Sequence, residues 1–368
     1  MSSNSTNRPG GLIERSDVAS VLSVLALVLV VTLGSGSALW SLFAMAVLAL
    51  SVATAVHHAE VIAMRVGATL GTLILALAVT VIEVGLIVSM MTNDTPDSAT
   101  VARDTVFAAV IIVTNGILGI SLLLGGLRFK ELGFHAGGTN SLLAVLAVLS
   151  GLTLVLPTYT TSTPARTYSP AQLVFAMVAS IALYAGLLFA QTKTHKEYFQ
   201  PVPVEEGEPV SEHPMPTRRK AWVGFASLLL SLTSVIGFAK TLSPAIEQGI
   251  VAIGAPRATV GIVIALLVLA PEMLAAVSAA RHNLLQTSLN LALGSGAASI
   301  ALTIPVVGAF ALITGRPLVL GLEPKNMAFL VLTFLTGSLT LGRGSSTGLD
   351  GLIHLVLLGT FLAFSFVP

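Results

Sequence analysis

Long apolar windows with almost no charge recur along the whole chain, and they constrain its fold more than any other feature. Windows of about 20 such residues can cross the hydrocarbon core of a bilayer as helices. Only 10% of the 368 residues are charged, whereas about 25% is typical of a soluble domain. A soluble protein of this length could not cover its surface with so few charges. The sequence therefore predicts an all-α polytopic membrane protein.

Eleven windows of this kind predict about 11 transmembrane helices. They cover residues 17–34, 38–56, 66–91, 103–127, 140–157, 170–191, 220–241, 257–280, 285–314, 327–342 and 349–367. An odd number of crossings places the two ends of the chain on opposite sides of the membrane.

The basic residues of the connecting segments predict the orientation. Twelve of the 18 Lys and Arg residues fall on the side of the N-terminus and six on the other side. Because cytoplasmic loops carry the excess of basic residues, we expect a cytoplasmic N-terminus and an external C-terminus. For a bacterial protein, this predicts a multi-pass protein of the inner (plasma) membrane.

A polar, Pro-rich segment, residues 192–219, separates six windows from five and is locally acidic at Glu205, Glu206, Glu208 and Glu212. Its composition is typical of a mobile cytoplasmic linker. The predicted organisation is an N-terminal segment with one extra helix (1–37), a first five-helix repeat (38–191), this acidic linker and a second five-helix repeat (220–368). Because five is odd, the two repeats cross the membrane in opposite directions. The prediction is therefore a pair of inverted repeats, the architecture of many secondary transporters.

Two glutamates interrupt otherwise apolar windows. Glu83 lies near the middle of LILALAVTVIEVGLIVSMM (73–91), and Glu272 lies inside the eighth window, directly after Pro271. A charged carboxylate at the bilayer centre costs roughly 3 kcal/mol or more. No Lys or Arg stands in the middle of these windows to neutralise either group. Each glutamate must therefore be protonated or hold a cation, unless it serves only as a structural hydrogen-bonding group.

A weak pattern follows both glutamates. The next window after Glu83 contains NGILG, beginning at Asn115, and the next after Glu272 contains NLALG, beginning at Asn290. Asparagine offers a carbonyl oxygen to a cation, and glycine lets helices approach closely. We interpret both asparagines as candidate cation ligands.

At these residues the sequence resembles the Ca2+/cation antiporter superfamily, in its cation/proton exchanger branch. The resemblance covers nearly the whole chain and is strongest at residues 71–89, 119–129, 191–195, 267–295 and 300–307. It implies that Glu83 and Glu272 carry cation and protons in turn, as the metal-binding carboxylates of the two repeats.

The resemblance also implies where the chain departs from its relatives. Calcium exchangers of the branch usually carry Asn three residues before each glutamate, and Thr80 and Leu269 stand there in this sequence. Two amide oxygens are lost. Since Ca2+ takes about 6–8 oxygen ligands, this favours Na+ or K+. Ser295, Ser299 and Thr303 are further candidate ligands from the ninth window, and Thr80 is a candidate ligand from the third.

Three of the seven histidines are candidates for proton chemistry. His57, His58 and Glu60 lie at the predicted junction of the second and third windows. Because histidine titrates near neutral pH, they are candidates for pH sensing or a proton relay, or they are interfacial side chains. His354 lies inside the last window, as a packing residue or as part of a proton path.

Three function classes remain: a secondary cation/proton antiporter for Ca2+ and/or Na+/K+, a cation channel or uncoupled cation pathway, and a membrane enzyme with two acid–base carboxyls. The sequence has no phosphate-binding loop, no HExxH motif and no basic face for nucleic acid. We therefore favour the antiporter. The expected partners are cations, protons and the lipid bilayer, with no cofactor and with the oligomeric state left open.

Overall fold

In a computed structural model the chain is almost entirely helical. The structure describes residues 15–33, 38–66, 68–92, 98–163, 166–200, 216–252, 254, 256 and 259–367. The helices and strands are α1 (Arg15–Leu33), α2 (Ala38–Val66), α3 (Ala68–Met91), α4 (Val101–Ile111), α5 (Leu118–Phe129), β1 (Glu131–Gly133), α6 (Ala136–Ser150), α7 (Pro170–Phe189), α8 (Arg218–Ala252), α9 (Thr259–Arg281), α10 (Leu285–Thr314), α11 (Pro324–Leu341), β2 (Ser345–Thr347) and α12 (Gly348–Phe366). Most of the predicted acidic linker and the first 14 residues lie outside the described residues.

Within the described residues, nine helical segments are long and apolar enough to cross a membrane. Each of the eleven predicted windows falls on a helix. Two predicted windows are not among these nine segments. One lies on α3, where the apolar stretch Leu77–Met91 is shorter, and the other lies on α11. The prediction of a polytopic helical protein is confirmed, whereas the number eleven and the inverted repeats stay predictions.

Three π-helical turns interrupt the regular helices: Ile112–Ile117, Gly151–Val155 and Ala190–Thr194. The first joins α4 to α5, so that Val101–Phe129 forms one span. A π-turn widens the helix locally and is frequent at functional sites. It also changes the direction of the side chains that follow it.

Two helices begin at capping boxes. The Ser169 side chain accepts a hydrogen bond from the Gln172 backbone, and Pro170 occupies the first turn of α7. Thr347 and Asp350 form the same arrangement at the start of α12. Both motifs satisfy backbone N–H groups that have no partner within the helix. A short antiparallel pairing of β1 with β2 precedes α12.

The chain folds as two compact units. The first unit, Met1–Ala78 with Ser211–Leu242, contains α1, α2 and most of α8. Buried hydroxyl groups join its three helices, with the Ser20, Ser23, Thr54, Ser231 and Ser234 side chains bonded at 2.8–3.0 Å. Interhelical hydroxyl bonds of this kind stabilise helix pairs in an apolar setting.

The α2 helix extends ten residues beyond the predicted window, to Val66. His57, His58 and Glu60 therefore lie inside a helix and not at a junction. His58 is buried, with Nε2 3.1 Å from Ser20 Oγ and Nδ1 3.8 Å from Asp17 Oδ1. Polar contacts across the first unit keep this stretch helical where hydropathy alone predicts an end.

The second unit, Val79–Val210 with Ser243–Pro368, contains the remaining helices and the C-terminal half of α3. In this unit α10 packs against α6, α7 and α9, and α12 packs against α5. Glycines allow the closest approaches: a Cβ on Gly261 would lie 2.6 Å from the carbonyl carbon of Asp104, and one on Gly126 would meet the Gly348 backbone. Small residues at such contacts bring membrane helices together.

Candidate cation and proton site

Glu83 is buried in the C-terminal half of α3, with 3% of its surface exposed. One carboxyl oxygen, Oε2, accepts a hydrogen bond of 2.6 Å from Ser299 Oγ. The other, Oε1, has no hydrogen-bond partner among the described residues. No basic side chain of the described residues neutralises the carboxyl group. Its second oxygen is thus placed to hold a proton or to contact a cation.

The helix α10 supplies hydroxyl groups to this carboxyl group. Ser299 is buried and makes the hydrogen bond. Thr303 lies one turn further along and adds a second hydroxyl that interacts with Glu83. Thr303 Oγ1 is buried and makes no hydrogen bond of good geometry in the described part of the chain. A carboxylate and two hydroxyls are the hard oxygen donors that Na+, K+ and Ca2+ prefer.

Glu272 is also buried, with 6% of its surface exposed, in the second half of α9. This helix packs against α10, the helix that carries Ser299. Pro271 stands directly before it inside the helix. Proline lacks an amide N–H, so the carbonyl one turn earlier has no helical partner there, and its oxygen is available to other groups.

Two other predicted ligands, Thr80 and Ser295, lie one helical turn from Glu83 and Ser299. Thr80 is buried, three residues before Glu83 on α3. Ser295 is half-buried, four residues before Ser299 on α10. These spacings put each residue on the same face of its helix as its neighbour in the site.

The two predicted asparagine ligands are engaged in other contacts. Asn115, in the first π-turn, donates from Nδ2 to Thr333 Oγ1 at 2.8 Å, and its Oδ1 lies 3.0 Å from His354 Nδ1. Asn290 accepts from Gln286 at 2.9 Å and donates to the Phe199 carbonyl at 2.6 Å. The matching sequence pattern therefore corresponds to two different local structures. That Asn115 and Asn290 bind a cation stays a prediction.

The sequence analysis considered His354 but gave no weight to two threonines that complete the polar cluster around Asn115. Both lie on α11: Thr333 accepts from the Asn115 amide, and Thr340 contacts Nε2 of His354. The signal that could have found the cluster is the Asn115–Gly116 pair inside a long apolar window. Asn-Gly is unusual in a regular helix, because both residues have low helix propensity.

Buried carboxyl and hydroxyl oxygens in a multi-pass helical protein are typical of the class of membrane proteins that handle cations. The chain belongs to the sodium/calcium exchanger protein family. Residues 36–193 and 223–367 match that family. It is therefore a multi-pass membrane protein of a cation-exchanger family.

Two relatives show the similarity over most of their length. The chain is 44% identical to the putative ionic transporter y4hA of Sinorhizobium fredii, over 86% of each protein. It is 34% identical to the sodium-potassium/proton antiporter ChaA of Escherichia coli, over 94% of this chain and 95% of that protein. Among solved structures, the native YfkE structure has a TM-score of 0.72 at 15% identity and covers 96% of this chain and all of YfkE. That structural match supports the fold alone.

Proposed function

We propose that this chain is a secondary active antiporter that exports Ca2+ and/or Na+/K+ in exchange for H+ by alternating access. Glu83 and Glu272 bind the cation or the protons in turn. The observation that carries the proposal is the state of Glu83. Its buried carboxyl group is held by Ser299 at one oxygen, and the other oxygen has no partner among the described residues.

Coupling follows from the chemistry of this carboxyl group. A buried carboxylate without a counter-charge is strongly disfavoured, so the group is stable when protonated or when a cation lies beside it. A proton and a cation compete for the same oxygen, and each must leave before the other binds. Two carboxylates neutralise one divalent ion, so exchange for two protons is electroneutral for Ca2+. A monovalent ion needs one proton if the second carboxyl stays protonated.

The relatives support this proposal in different ways. The name of ChaA describes sodium-potassium/proton exchange. A relative in Aphanothece halophytica, 27% identical over 84% of this chain, is named a Ca2+/H+ antiporter. The position three residues before each glutamate is Thr80 in one case and Leu269 in the other. The Thr80 side chain contributes a hydroxyl, and the Leu269 side chain contributes no oxygen. This donor set favours Na+ or K+ over tight binding of Ca2+.

A flux assay in proteoliposomes tests the function. With an imposed proton gradient, Na+, K+ or Ca2+ should move against its own gradient, and the internal pH should change as it moves. An uncoupled cation pathway would carry the cation only down its gradient, with no stoichiometric proton flux. That outcome would contradict the proposal.

We further propose eleven crossings in two inverted repeats, with a cytoplasmic N-terminus and an external C-terminus. The two matched ranges, 36–193 and 223–367, support a division near the predicted linker. This orientation places twelve of the 18 basic residues in the cytoplasm. Because it also places the C-terminus outside, a phosphatase that is active only in the periplasm should be active when fused after Pro368. The same reporter inserted in the linker should be silent. A phosphatase that is silent after Pro368 would show that the crossings were miscounted.

We also propose that His58, with its neighbours His57 and Glu60, senses pH. Protonation of His58 would create an ion pair between Nδ1 and Asp17, now 3.8 Å away, and would make Nε2 the donor in the contact to Ser20. The change His58→Gln is therefore expected to shift the pH of half-maximal transport rate by about half a unit or more. The matched change His57→Gln should shift it less, because His57 is only half-buried. A profile of His58→Gln that superimposes on the wild type would rule out this role.

A further inference from the structure

His354 is a fully buried histidine of α12, outside the carboxylate site, and both its ring nitrogens have partners. Nδ1 lies 3.0 Å from Asn115 Oδ1, and Nε2 lies 2.9 Å from Thr340 Oγ1. Asn115 donates its amide N–H to Thr333 at 2.8 Å, so its oxygen is the acceptor for His354. This assigns the proton of the neutral ring to Nδ1, and Nε2 accepts from the Thr340 hydroxyl.

The position of Asn115 gives this bond its importance. Asn115 lies in the π-turn Ile112–Ile117, in the middle of the span that joins α4 to α5. A π-turn replaces the regular hydrogen bonds of the α-helix by longer ones, here from the Leu118 N–H to the Val113 carbonyl. Because such turns are rare, contacts from neighbouring helices matter for holding this one. The contacts to the Asn115 side chain come from α11 through Thr333 and from α12 through His354.

The helix α12 is fixed firmly enough to act as this support. A Cβ on Gly119 of α5 would lie 3.1 Å from His354 Cβ, and a Cβ on Gly351 would lie 2.7 Å from the Gly119 carbonyl oxygen. The two backbones therefore pack with no room for an added methyl group. This close contact of the two helices sets the position of His354 against α5.

The π-turn also contacts the helix that carries the site. Val113 Cγ1 lies over Gly296 of α10, where a Cβ would be only 3.2 Å away. Ser299 is three residues further along α10 and so lies on the same face. Val113 and Asn115 are two residues apart and project to roughly opposite sides of their helix. The turn therefore links His354 on one side with the base of Ser299 on the other.

We propose that His354 is a positioning residue for the exchange site. By holding Asn115, it fixes the π-turn that seats Val113 on Gly296, and this contact orients Ser299 toward Glu83. The inference rests on the proposed function of the Glu83–Ser299 pair. His354 does not carry protons in this account, because the fixed neutral ring already uses both nitrogens. The charged group that influences it is Asp350, one turn earlier, which is bonded to Arg343, Ser346 and Thr347.

A pair of substitutions separates the two ring nitrogens. The amide nitrogen of His354→Asn stands near the place of Nδ1 and can still donate to Asn115. The amide nitrogen of His354→Gln stands near the place of Nε2, so it contacts Thr340 and not Asn115. In proteoliposomes, the apparent cation affinity of His354→Asn should stay within about twofold of the wild type. That of His354→Gln should fall about tenfold, because Ser299 is then no longer held in place to donate its hydrogen bond to the Glu83 carboxyl group. The variant Thr333→Val removes only the acceptor of the Asn115 amide and should weaken affinity in the same direction, about threefold.

The pH dependence distinguishes a positioning role from proton transfer. His354→Asn should keep the wild-type dependence of apparent affinity on pH. Loss of that dependence would show that the ring carries protons and would overturn the inference. Wild-type affinity in both His354→Gln and Thr333→Val would overturn it as well, even if His354→Gln is less stable to heat. If Glu83→Gln is inactive at the same time, the proposed function stands and only this inference fails.

Discussion

Replacing Glu83 by glutamine is expected to reduce cation/proton exchange at least about a hundredfold, which corresponds to about 2.8 kcal/mol. Glutamine keeps the volume of the side chain and can still accept the hydrogen bond from Ser299. Its amide nitrogen takes the place of a carboxyl oxygen, so it can neither release a proton nor neutralise a cation. The assay is proton-driven uptake of Na+, K+ or Ca2+ into proteoliposomes, normalised to inserted protein.

Two further variants grade this effect. Ser299→Ala keeps the carboxyl group and removes its donor, so the apparent cation affinity should fall about tenfold with exchange retained. Glu323→Gln is the matched control, because it removes a carboxylate that is exposed at the start of α11 and paired with Arg166 at 3.1 Å. It should exchange at the wild-type rate. If Glu83→Gln does so as well, Glu83 is structural and the site assignment fails.

Glu272→Gln is expected to produce a loss of similar size, at least about a hundredfold. Glu272 is buried in an apolar helix beside Pro271, and α9 packs on the helix that carries Ser299. If both carboxyls share the cargo, removing the charge of either one leaves the cation without enough compensation. The measurement is the same flux assay, with Glu323→Gln as the shared control.

The two glutamine variants also test the sharing itself. In the proposed cycle the double variant should be no worse than either single variant, because each change already stops the cycle. Near-normal exchange by Glu272→Gln would remove Glu272 from the site. The site would then contain a single carboxylate, that of Glu83.

The helices and the two carboxylates could be predicted because their signals are local and strong. A window of about 20 apolar residues has few alternatives to a helix. A glutamate inside such a window stands out because its burial is so unfavourable. The family resemblance added Ser299, which no local pattern would have selected among the many serines of the chain.

The details that were missed depend on contacts between distant parts of the chain. The pattern that made Asn115 and Asn290 equivalent assumed regular helices, whereas Asn115 lies in a π-turn held by Thr333 and His354. The end of α2 was placed too early because hydropathy falls at His57 and His58. The contacts of His58 with α1, which keep that stretch buried, are invisible in the local sequence.

The central claim is that cation and proton occupy the same carboxyl groups in turn. The most direct test varies cation concentration and pH together on one side of proteoliposomes and records both fluxes. Glu83→Gln and Glu323→Gln serve as the inactive and active references.

If the claim holds, protons inhibit cation uptake competitively. The apparent cation affinity then strengthens as the pH of that side rises and levels off once the carboxyls no longer bind protons, while the maximal rate stays constant. A pH effect confined to the maximal rate, with apparent affinity unchanged between acid and alkaline conditions, would contradict the claim. It would show that the proton acts at a different place from the cation.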